Sequence, residues 1–459
     1  MITDVLGQRD VQWLSHEIES PFNWSSTVGD SLWDSFLHLR DSIGVGKHGL
    51  IRLQTADHND GILGQFKAQN ASHANHSVAV KSGESVMNAA LAAYALRQYA
   101  EALTLLGGQA ERVASVVTFA DAQRAAAARS WSACPADGSG PPGVSGWLLR
   151  AYLGDETMGW RGQCGGKELP GQPAGGSMWT ETQSWALLGD VTPANRTASL
   201  LQAIEAIARK PSPIGALNVP PNAMEDIGTS YGGVWACGSQ ALIQALGKSG
   251  QSSTFDEFRK NLLGTHAEVY PEIFFGVTSG TDVWNSALST WPGSTRCEYQ
   301  SPDGLDGHPA HGGCNELALG LLNSWQHSVP LWSLGSLVGL EFDAGGMRLV
   351  PALPSLPSFA IATALFGVER ARGAGETRYS GWWSPEHGGG TLATVTLRLP
   401  AEDAASCGTV VVNGVRGSCA ELKSASGDVV LRGVLPLRWS LVAGAGAGAG
   451  AGAAHPLHG

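Results

Sequence analysis

The sequence predicts a mainly helical domain followed by a small β-sandwich, with the boundary near residue 340. From Val11 to about Leu246 the apolar residues recur mostly at helical spacing. After Gly339 the pattern changes to short runs in which apolar and polar residues alternate, with turn residues between them. A chain of 459 residues with 43% hydrophobic residues is also long enough for two or three domains and a sizeable core.

The predicted helices are separated by long loops rich in Gly, Pro and Trp. The clearest helix is Ser85–Leu106, whose apolar stripe ends at the pair Gly107-Gly108. Long loops on a helical scaffold usually carry functional residues. The other predicted helices are Ser31–Ile43, Glu111–Trp131, Trp185–Leu188, Pro193–Arg209, Ser239–Leu246, Thr254–His266, Glu316–His327 and Pro330–Gly339.

The predicted strands all lie in the last quarter of the chain, and turn pairs such as Asn413-Gly414 separate them. From Ala443 onward Ala and Gly alternate, and these residues have too little side-chain surface to bury in a packed core. We therefore expect a flexible tail. The predicted units are therefore a helical domain at 1–340, a β-sandwich at 341–442 and a disordered tail at 443–459. The predicted strands are Met347–Pro351, Phe359–Thr363, Leu392–Leu399, Thr409–Asn413 and Val429–Leu431.

Charge and hydropathy exclude several classes of partner. The net charge is −11 and no run of Lys or Arg occurs, which makes nucleic acids and anionic membranes poor partners. No segment approaches the ~20 apolar residues of a membrane helix, and the first thirty residues show no secretory signal pattern. We expect no membrane association and a location that is cytoplasmic or unknown. The sequence allows a homodimer without requiring one.

The seven cysteines are widely spaced and form no Cys-x-x-Cys pair, so we expect no metal site. Cys407 and Cys419 flank a predicted strand pair and could form a disulfide in an oxidising compartment. Four Asn-x-Ser/Thr sequons occur, which without a signal peptide we interpret as chance matches. They are at Asn23, Asn70, Asn75 and Asn195.

Tryptophan is unusually frequent, with 16 residues against 7 tyrosines and 11 phenylalanines. Flat indole faces are common platforms for sugar rings, and tryptophan is equally common in helix packing. Both interpretations remain open at this level. The excess nevertheless directs attention to polar groups that lie near the tryptophans.

The first candidate site is the segment Asp57-His58-Asn59-Asp60-Gly61, which lies on a loop between predicted helices. Asp and Asn favour turns, so a plain turn is the alternative. The functional interpretation is a carboxyl group held at the mouth of a pocket. Cleaving a glycosidic bond needs a proton donated to the leaving oxygen, and a carboxylic acid with a raised pKa can supply it.

Five further segments combine aromatic residues with carboxylates, amides or histidines, which are the groups that bind sugar hydroxyls. Planar partners such as Glu181 and Gln183 can form bidentate hydrogen bonds with hydroxyl pairs, although the start of a buried helix is the alternative for Trp185. For His327, a packed histidine is the alternative. The segments are Gly146–Tyr152 with Trp160, Trp179–Gly189, Tyr231–Gly238, His266–Ser286 and Asn323–His327.

These residues, in this order, resemble the inverting sugar phosphorylases of glycoside hydrolase family 94, which include the cellobiose and chitobiose phosphorylases. Asp57–Gly61 looks like the Asp-Trp-Asn-Asp-Gly loop of that family, and Trp147–Tyr152 looks like its Trp-Phe-x-Arg-Ala-Tyr segment. Thr182–Gly189 looks like its Gln-x-Trp helix start, and Gly232–Trp235 looks like its Gly-Gly-Ile-Phe stretch. The order of these motifs holds for roughly 300 residues.

The resemblance implies an (α/α)6 barrel followed by a β-sandwich, with Asp60 as the general acid. It further implies that the sugar is bound by Asp57, His58, Asn59, Arg150, Trp160, Glu181, Gln183, Trp185, Trp235, Trp284 and His327. No cofactor is expected, and inorganic phosphate is the candidate co-substrate.

The chain also departs from the family pattern. His58 stands where the family has tryptophan, and Cys237 lies near the position of the family's phosphate-binding histidine. The chain starts just before the acid loop and has fewer predicted helices than a closed barrel needs. We therefore expect an incomplete barrel.

Three functional hypotheses follow. The first is phosphorolysis of a β-linked di- or oligosaccharide, in which phosphate attacks the anomeric carbon with inversion. The second is hydrolysis with inversion, in which a second carboxylate activates water; the candidates are Glu181, Glu268, Glu272 and Asp282, and we assign this role to Glu272. The third is a non-catalytic or vestigial carbohydrate-binding protein. The sequence does not identify the sugar or the linkage.

Overall fold

The computed structural model describes the chain in ranges separated by gaps, and at 153, 156–158 and 283–285 it describes the backbone alone. Within those ranges, helices and short strands occupy the chain up to residue 285, and β-sheets follow from residue 341. The described residues are 2–19, 25–54, 80–134, 141–153, 156–158, 178–218, 233–271, 283–285, 333–351, 353 and 356–444.

The N-terminal part contains two helices with a small antiparallel hairpin between them. Helix α1 is Ile2–Gln8 and helix α2 is Val28–Leu37. Between them, β1 (Glu17–Glu19) pairs with β2 (Ser25–Thr27). Thr27 caps α2 by accepting a hydrogen bond from the amide of Asp30 at 3.0 Å, and the helix continues as a π-helical turn to Ile43. The predicted helix at 31–43 is confirmed, with an earlier start.

Three helical hairpins form the centre of the described structure. The first helices of the three hairpins pack side by side, with α5 between α3 and α7. Alanines at the contacts, such as Ala90, Ala186 and Ala245, allow the helix axes to approach closely. The hairpins are α3 (Val86–Leu106) with α4 (Ala110–Arg129), α5 (Thr180–Leu188) with α6 (Ala194–Ala203), and α7 (Ala236–Lys248) with α8 (Thr254–Lys260) and α9 (Leu263–Val269).

The three first helices run in the same direction. Gly189, at the end of α5, packs against Ala93 in the first half of α3. Lys248, at the end of α7, donates to the carbonyl of Leu188 at 2.6 Å. The starts of α3, α5 and α7 consequently lie at one end of the layer. These three helices form a row of parallel neighbours, and the closed barrel stays a prediction.

Short strands connect these helices, a feature that the sequence pattern did not predict. β3 (Gly83–Ser85) leads directly into α3, and β8 (Gly233–Trp235) leads directly into α7. A run of three residues is too short for its alternation to be recognised in a sequence. The remaining strands are β4 (Trp131–Ala133) paired with β5 (Gly146–Leu148), β6 (Ala151–Leu153) between β3 and β7 (Glu156–Met158), and β9 (Val283–Asn285) paired with β8.

The predicted ends of the helices agree best with the structure where capping residues mark them. Ser85 caps α3 by accepting from the amide of Asn88 at 3.0 Å, and Gly107 ends the helix with a φ of +77°. Two predictions were wrong in detail. The helix predicted to start at Trp185 starts at Thr180, and the helix predicted over 254–266 is broken at residues 261–262.

The sheet-rich part consists of two sheets that share one hydrophobic core. Leu349, Val395 and Leu431 from one sheet pack with Tyr379 and Trp439 from the other. The first sheet has the order β10 (Glu341–Phe342), β11 (Gly346–Leu349), β15 (Leu392–Leu397), β18 (Val429–Val434). The second has the order β12 (Ser358–Ala362), β13 (Phe366–Arg372), β14 (Glu376–Trp383), β19 (Leu437–Gly444), β16 (Cys407–Val412), β17 (Val415–Ser418). Two short helices are also present, α10 (Ala401–Ser406) and α11 (Cys419–Leu422).

Several of these strands were missed in the sequence, among them the three longest of the second sheet. β13, β14 and β19 carry charged residues and tryptophans in their alternation, such as Arg370 and Trp382, which obscure the apolar pattern. The predicted tail also starts too early, because Ala443 and Gly444 pair with β14 as the last residues of β19. Residues after Gly444 lie outside the described part.

The two parts of the molecule are in direct contact. Leu6 of α1 and Ala102 of α3 belong to the same core cluster as the two sheets. The indole of Trp383 donates to the carbonyl of Gly7 at 2.9 Å. Residues from the beginning of the chain therefore complete the core of the sheet-rich part.

Candidate functional site

The stem of the proposed acid loop is described, although Asp57, His58, Asn59 and Asp60 themselves lie outside the described residues. The amide of Leu53 donates to the carbonyl of Gly83 at 2.8 Å, and the amide of Ser85 donates to the carbonyl of Ile51 at 2.8 Å. Residues 51–53 thus pair with β3, which leads directly into α3. The described residues end at Gln54, directly after this pairing, and resume at residue 80, shortly before β3.

A buried carboxylate holds the chain just before this stem. The Glu84 side chain is 1% exposed and accepts hydrogen bonds from the backbone amides of His48 at 3.0 Å and Leu50 at 3.1 Å. The Nδ1 atom of His48 lies 2.8 Å from Oε1 of the same carboxylate. Gly46 has no room for a side chain, because a Cβ there would collide with the Glu84 carboxyl group. Glu84 therefore fixes the path of residues 46–50.

His48 is held through both its ring and its backbone carbonyl. Its ring stacks on the ring of Tyr152 with centroids 3.9 Å apart and an angle of 18°. Arg129 donates to the His48 carbonyl at 3.3 Å. The contacts among His48, Glu84 and Tyr152 were not predicted from the sequence. The only feature of the sequence that singles out Glu84 is its position directly before the strongly predicted helix. That position does not identify a partner 36 residues away.

Arg150 connects the starts of two helices. Its Nη1 atom donates to the Ser85 hydroxyl at 3.0 Å, and its carbonyl accepts from the amide of Val86 at 3.1 Å. The guanidinium carbon lies 5.4 Å from the centre of the Trp179 ring, just before α5. Arg150 is 1% exposed, so the charge is enclosed at the end of the helical layer where the acid loop is attached.

The side chain of Gln183 forms hydrogen bonds with the backbone. Its Oε1 atom accepts from the amide of Leu148 at 3.0 Å, and its Nε2 atom donates to the carbonyls of Leu148 at 2.9 Å and Trp179 at 3.1 Å. The side chain is fully buried. Contact between Gln183 and a sugar would require these three bonds to be replaced, and that role stays a prediction.

Glu181 and Trp185 lie on the same helix, α5, as Gln183. Glu181 is 3% exposed, in the first turn of the helix. Trp185 is half-buried one turn later, with its ring 6.1 Å from that of Tyr94 on α3. The Tyr94 hydroxyl accepts from Nε2 of Gln244 on α7 at 2.6 Å, and burial raises the pKa of Tyr94. A hydrogen bond thus joins α3 to α7, and a ring contact joins α3 to α5.

Trp235 marks the start of α7. It is 8% exposed, and β9 brings the backbone of Trp284 opposite its neighbour Val234. Asn218 joins the starts of α5 and α7, because its amide donates to Gly233 at 2.8 Å and its carbonyl accepts from Thr180 at 2.9 Å. The structure therefore brings Arg150, Glu181, Gln183 and Trp235 to the same end of the helical layer. Trp160, Glu272 and His327 lie outside the described residues.

Several tryptophans in the described part are packing residues. Trp147 and Trp179 are 1% exposed, and Trp147 belongs to the core cluster of the helical layer. In the sheet-rich part, Trp383 is fully buried and Trp439 is 4% exposed. None of these four indole faces is open to solvent. For these residues, helix and sheet packing explains the tryptophan excess, and a sugar platform does not.

A cavity of about 340 Å³ lies beside the stem of the acid loop. Its walls are largely aliphatic, with Arg52, Gln54 and Asn88 as the polar groups. The aliphatic and alanine residues that line it are Leu39, Ile43, Ile51, Leu53, Leu91, Ala92, Ala95 and Leu96.

The described ranges contain neither a metal-binding cluster nor a membrane-spanning helix. No group of three or more His, Cys, Asp or Glu residues there is arranged to hold a metal ion. No helix there combines the length and the apolar run that a bilayer crossing needs.

Comparison with known proteins identifies no family for the chain. No family model matches it, and no curated protein matches it. Among solved structures, 27 chains match. One is Ara127N-Se, a GH127 β-L-arabinofuranosidase from Geobacillus stearothermophilus T6, with 14% identity and a TM-score of 0.21 over 57% of this chain and 40% of that chain. The alignment spans less than half of that enzyme, and a TM-score this low is no evidence about function.

Proposed function

We propose that the protein is a carbohydrate-active enzyme that cleaves a glycosidic bond of a β-linked di- or oligosaccharide with inversion. In this proposal Asp60 is the general acid that protonates the leaving oxygen. The proposal rests on the resemblance of the motif series to glycoside hydrolase family 94 and on the structure around those motifs.

The observation that carries the proposal is the construction of the loop stem. A catalytic acid must be held to within a fraction of an ångström of its working position. Two backbone hydrogen bonds join Ile51 and Leu53 to β3, and the buried Glu84 fixes the residues before them. A plain surface turn has no need of a buried carboxylate at its base, because such a group is costly to desolvate.

The neighbouring side chains suit a sugar-binding end of a helical layer. Arg150, Glu181 and Trp185 lie at or near the starts of α3 and α5. In our proposal Glu181 and Arg150 bind or orient hydroxyl groups, and Trp185 contacts a sugar face. We assign the same role to Asp57, His58, Asn59, Trp160, Trp235, Trp284 and His327.

Two reactions are compatible with a single general acid. In phosphorolysis, inorganic phosphate attacks the anomeric carbon while Asp60 gives its proton to the departing oxygen, so no protein nucleophile is needed. In hydrolysis, Glu272 takes a proton from the attacking water, and the two carboxyl groups should lie roughly 6.5–9.5 Å apart. Both reactions invert the anomeric centre in one displacement.

A non-catalytic carbohydrate-binding protein is the competing hypothesis. Such a protein would have solvent-exposed aromatic rings that bind sugar faces, and it would not need a rigidly positioned general acid. The buried indoles of Trp147 and Trp179 weaken that hypothesis for the part of the chain where they lie.

The decisive experiment incubates the purified protein with a panel of β-linked disaccharides, with and without inorganic phosphate. Sugar 1-phosphate that appears only with phosphate indicates phosphorolysis. Free sugar formed at the same rate in both indicates hydrolysis, and NMR of the first product gives the anomeric configuration. Binding of a disaccharide without turnover in either condition would support the binding protein and contradict our proposal.

A further inference from the structure

Three of the four cysteines in the part of the chain that the structure describes are disulfide-bonded. Cys407 is bonded to Cys419, and Cys134 is also disulfide-bonded. Of the four cysteines in the described ranges, only Cys237 is a thiol. Proteins that fold in the cytosol rarely keep structural disulfides, because glutathione and thioredoxin maintain their thiols reduced.

The Cys407–Cys419 bond is a structural one. It joins the first residue of β16 to the first residue of α11 across 12 positions, with Cα atoms 5.8 Å apart, as is usual for disulfides. Cys419 is fully buried in the core between the two sheets. A bond with one sulfur in a packed core is poorly accessible to the thiolates that catalyse exchange.

An acceptor for N-linked glycosylation is exposed on the same molecule. Asn195, Arg196 and Thr197 form an Asn-x-Thr sequon in the first turn of α6. Asn195 is exposed, as are its neighbours Pro193 and Ala194. Within the described part, the Asn195 side chain takes part in no hydrogen bond, so an attached oligosaccharide would displace no contact.

We infer that this chain folds in an oxidising compartment and carries an N-linked oligosaccharide on Asn195, so that the sequon at 195 is not the chance match expected from the sequence. The Nδ2 atom of Asn195 forms a bond to the anomeric carbon of a lipid-linked oligosaccharide diphosphate. The bond from that carbon to the diphosphate breaks, the lipid diphosphate leaves, and the amide loses one proton. Formation of Cys407–Cys419 transfers two electrons and two protons to the disulfide of a thiol oxidoreductase. The inference is independent of the proposed carbohydrate chemistry.

The test uses the full chain isolated from the cells that make it. Free thiols are alkylated while the protein is unfolded in denaturant, and the protein is digested without reduction, so that mass spectrometry reports the Cys407–Cys419 link directly. A second digest is treated with peptide N-glycosidase in heavy-oxygen water, which converts a glycosylated Asn to labelled Asp. We expect the linked peptide pair and a labelled residue 195.

Two variants expressed in the same cells form a matched pair. Asn195→Gln should lose the mass of one oligosaccharide. Thr197→Ser should keep it, because serine preserves both the sequon and the hydroxyl that bonds Thr192 Oγ1 at 2.8 Å in the native helix start. Unlabelled Asn195 in the oxidised protein would contradict the glycan, and Cys407 or Cys419 found alkylated after unfolding would contradict folding in an oxidising compartment.

Discussion

The Nδ1 atom of His48 lies 2.8 Å from the buried carboxylate of Glu84, and that carboxylate also accepts the backbone amides of His48 and Leu50. The pair joins a half-exposed imidazole to a core carboxylate immediately before the stem of the proposed acid loop. A carboxylate can accept from all these donors at once because it has four lone pairs and no hydrogen. This property makes Glu84 difficult to replace.

Glu84→Gln should therefore destabilise the protein, although the side chain keeps its shape. The amide NH2 of Gln would face backbone N–H groups, so at least one donor loses its acceptor. We expect the free energy of unfolding to fall by about 2 kcal/mol, and hydrogen exchange to accelerate at residues 46–53. The exposed Glu17 provides the control, since Glu17→Gln breaks no described contact of this kind. Unchanged exchange at 46–53 in Glu84→Gln would contradict the role of Glu84 as an anchor.

Asp60→Asn should abolish turnover while leaving sugar binding in place. Asparagine cannot give a proton to the leaving oxygen, and general acid catalysis contributes at least about a hundredfold in rate. The measurement is initial rate on the best disaccharide of the panel, together with its binding by calorimetry. The exposed Asp34 of α2 offers the matched change, and Asp34→Asn should retain wild-type rates. Wild-type rates in Asp60→Asn would assign the acid to another residue.

His266 should make the protein less stable in mild acid. Burial lowers the pKa of His266 to about 4, while its Nε2 atom donates to the carbonyl of Ile214 at 3.0 Å. Between pH 6.5 and 4 the unfolded chain binds a proton that the folded chain does not bind, so stability falls as the pH falls through this window. The full effect is on the order of 3 kcal/mol. The slope of unfolding free energy against pH should flatten in His266→Gln, and an identical slope would contradict the assignment.

Glu257→Gln should be strongly destabilising. Glu257 is fully buried, its Oε2 atom accepts from Nε of Arg209 at 2.8 Å, and its Oε1 atom accepts from the amide of Ala216 at 2.7 Å. Removing one charge leaves the buried guanidinium of Arg209 partly uncompensated, which we expect to cost about 3 kcal/mol. Asp256 contacts the same guanidinium at 2.9 Å but is half exposed, so Asp256→Asn should cost less than about 1 kcal/mol. Equal losses of unfolding free energy in the two variants, measured with denaturant, would contradict a role for burial in the difference between the Arg209–Glu257 and Arg209–Asp256 ion pairs.

Much of the element order could be predicted from periodicity and caps. The stripe over 86–106 with Ser85 before it and Gly107 after it defines α3 almost to the residue. The prediction that Cys407 and Cys419 could bond is confirmed. Short strands such as β3 and β8 were not predictable, since three residues carry no recognisable period.

The sequence by itself determined the helical first part and the sheet-rich second part, and the segment Asp57–Gly61 as the place for chemistry stays a prediction from it. These features are local, because periodicity, turn residues and motif order are all read along the chain. Tertiary structure decided which polar groups meet. Glu84 reaches His48 across 36 positions, Gln183 reaches Leu148 across 35, and Trp383 reaches Gly7 across 376. Such contacts depend on how helices and strands pack, and packing decides whether a tryptophan or glutamine lies in the core or remains open to a sugar.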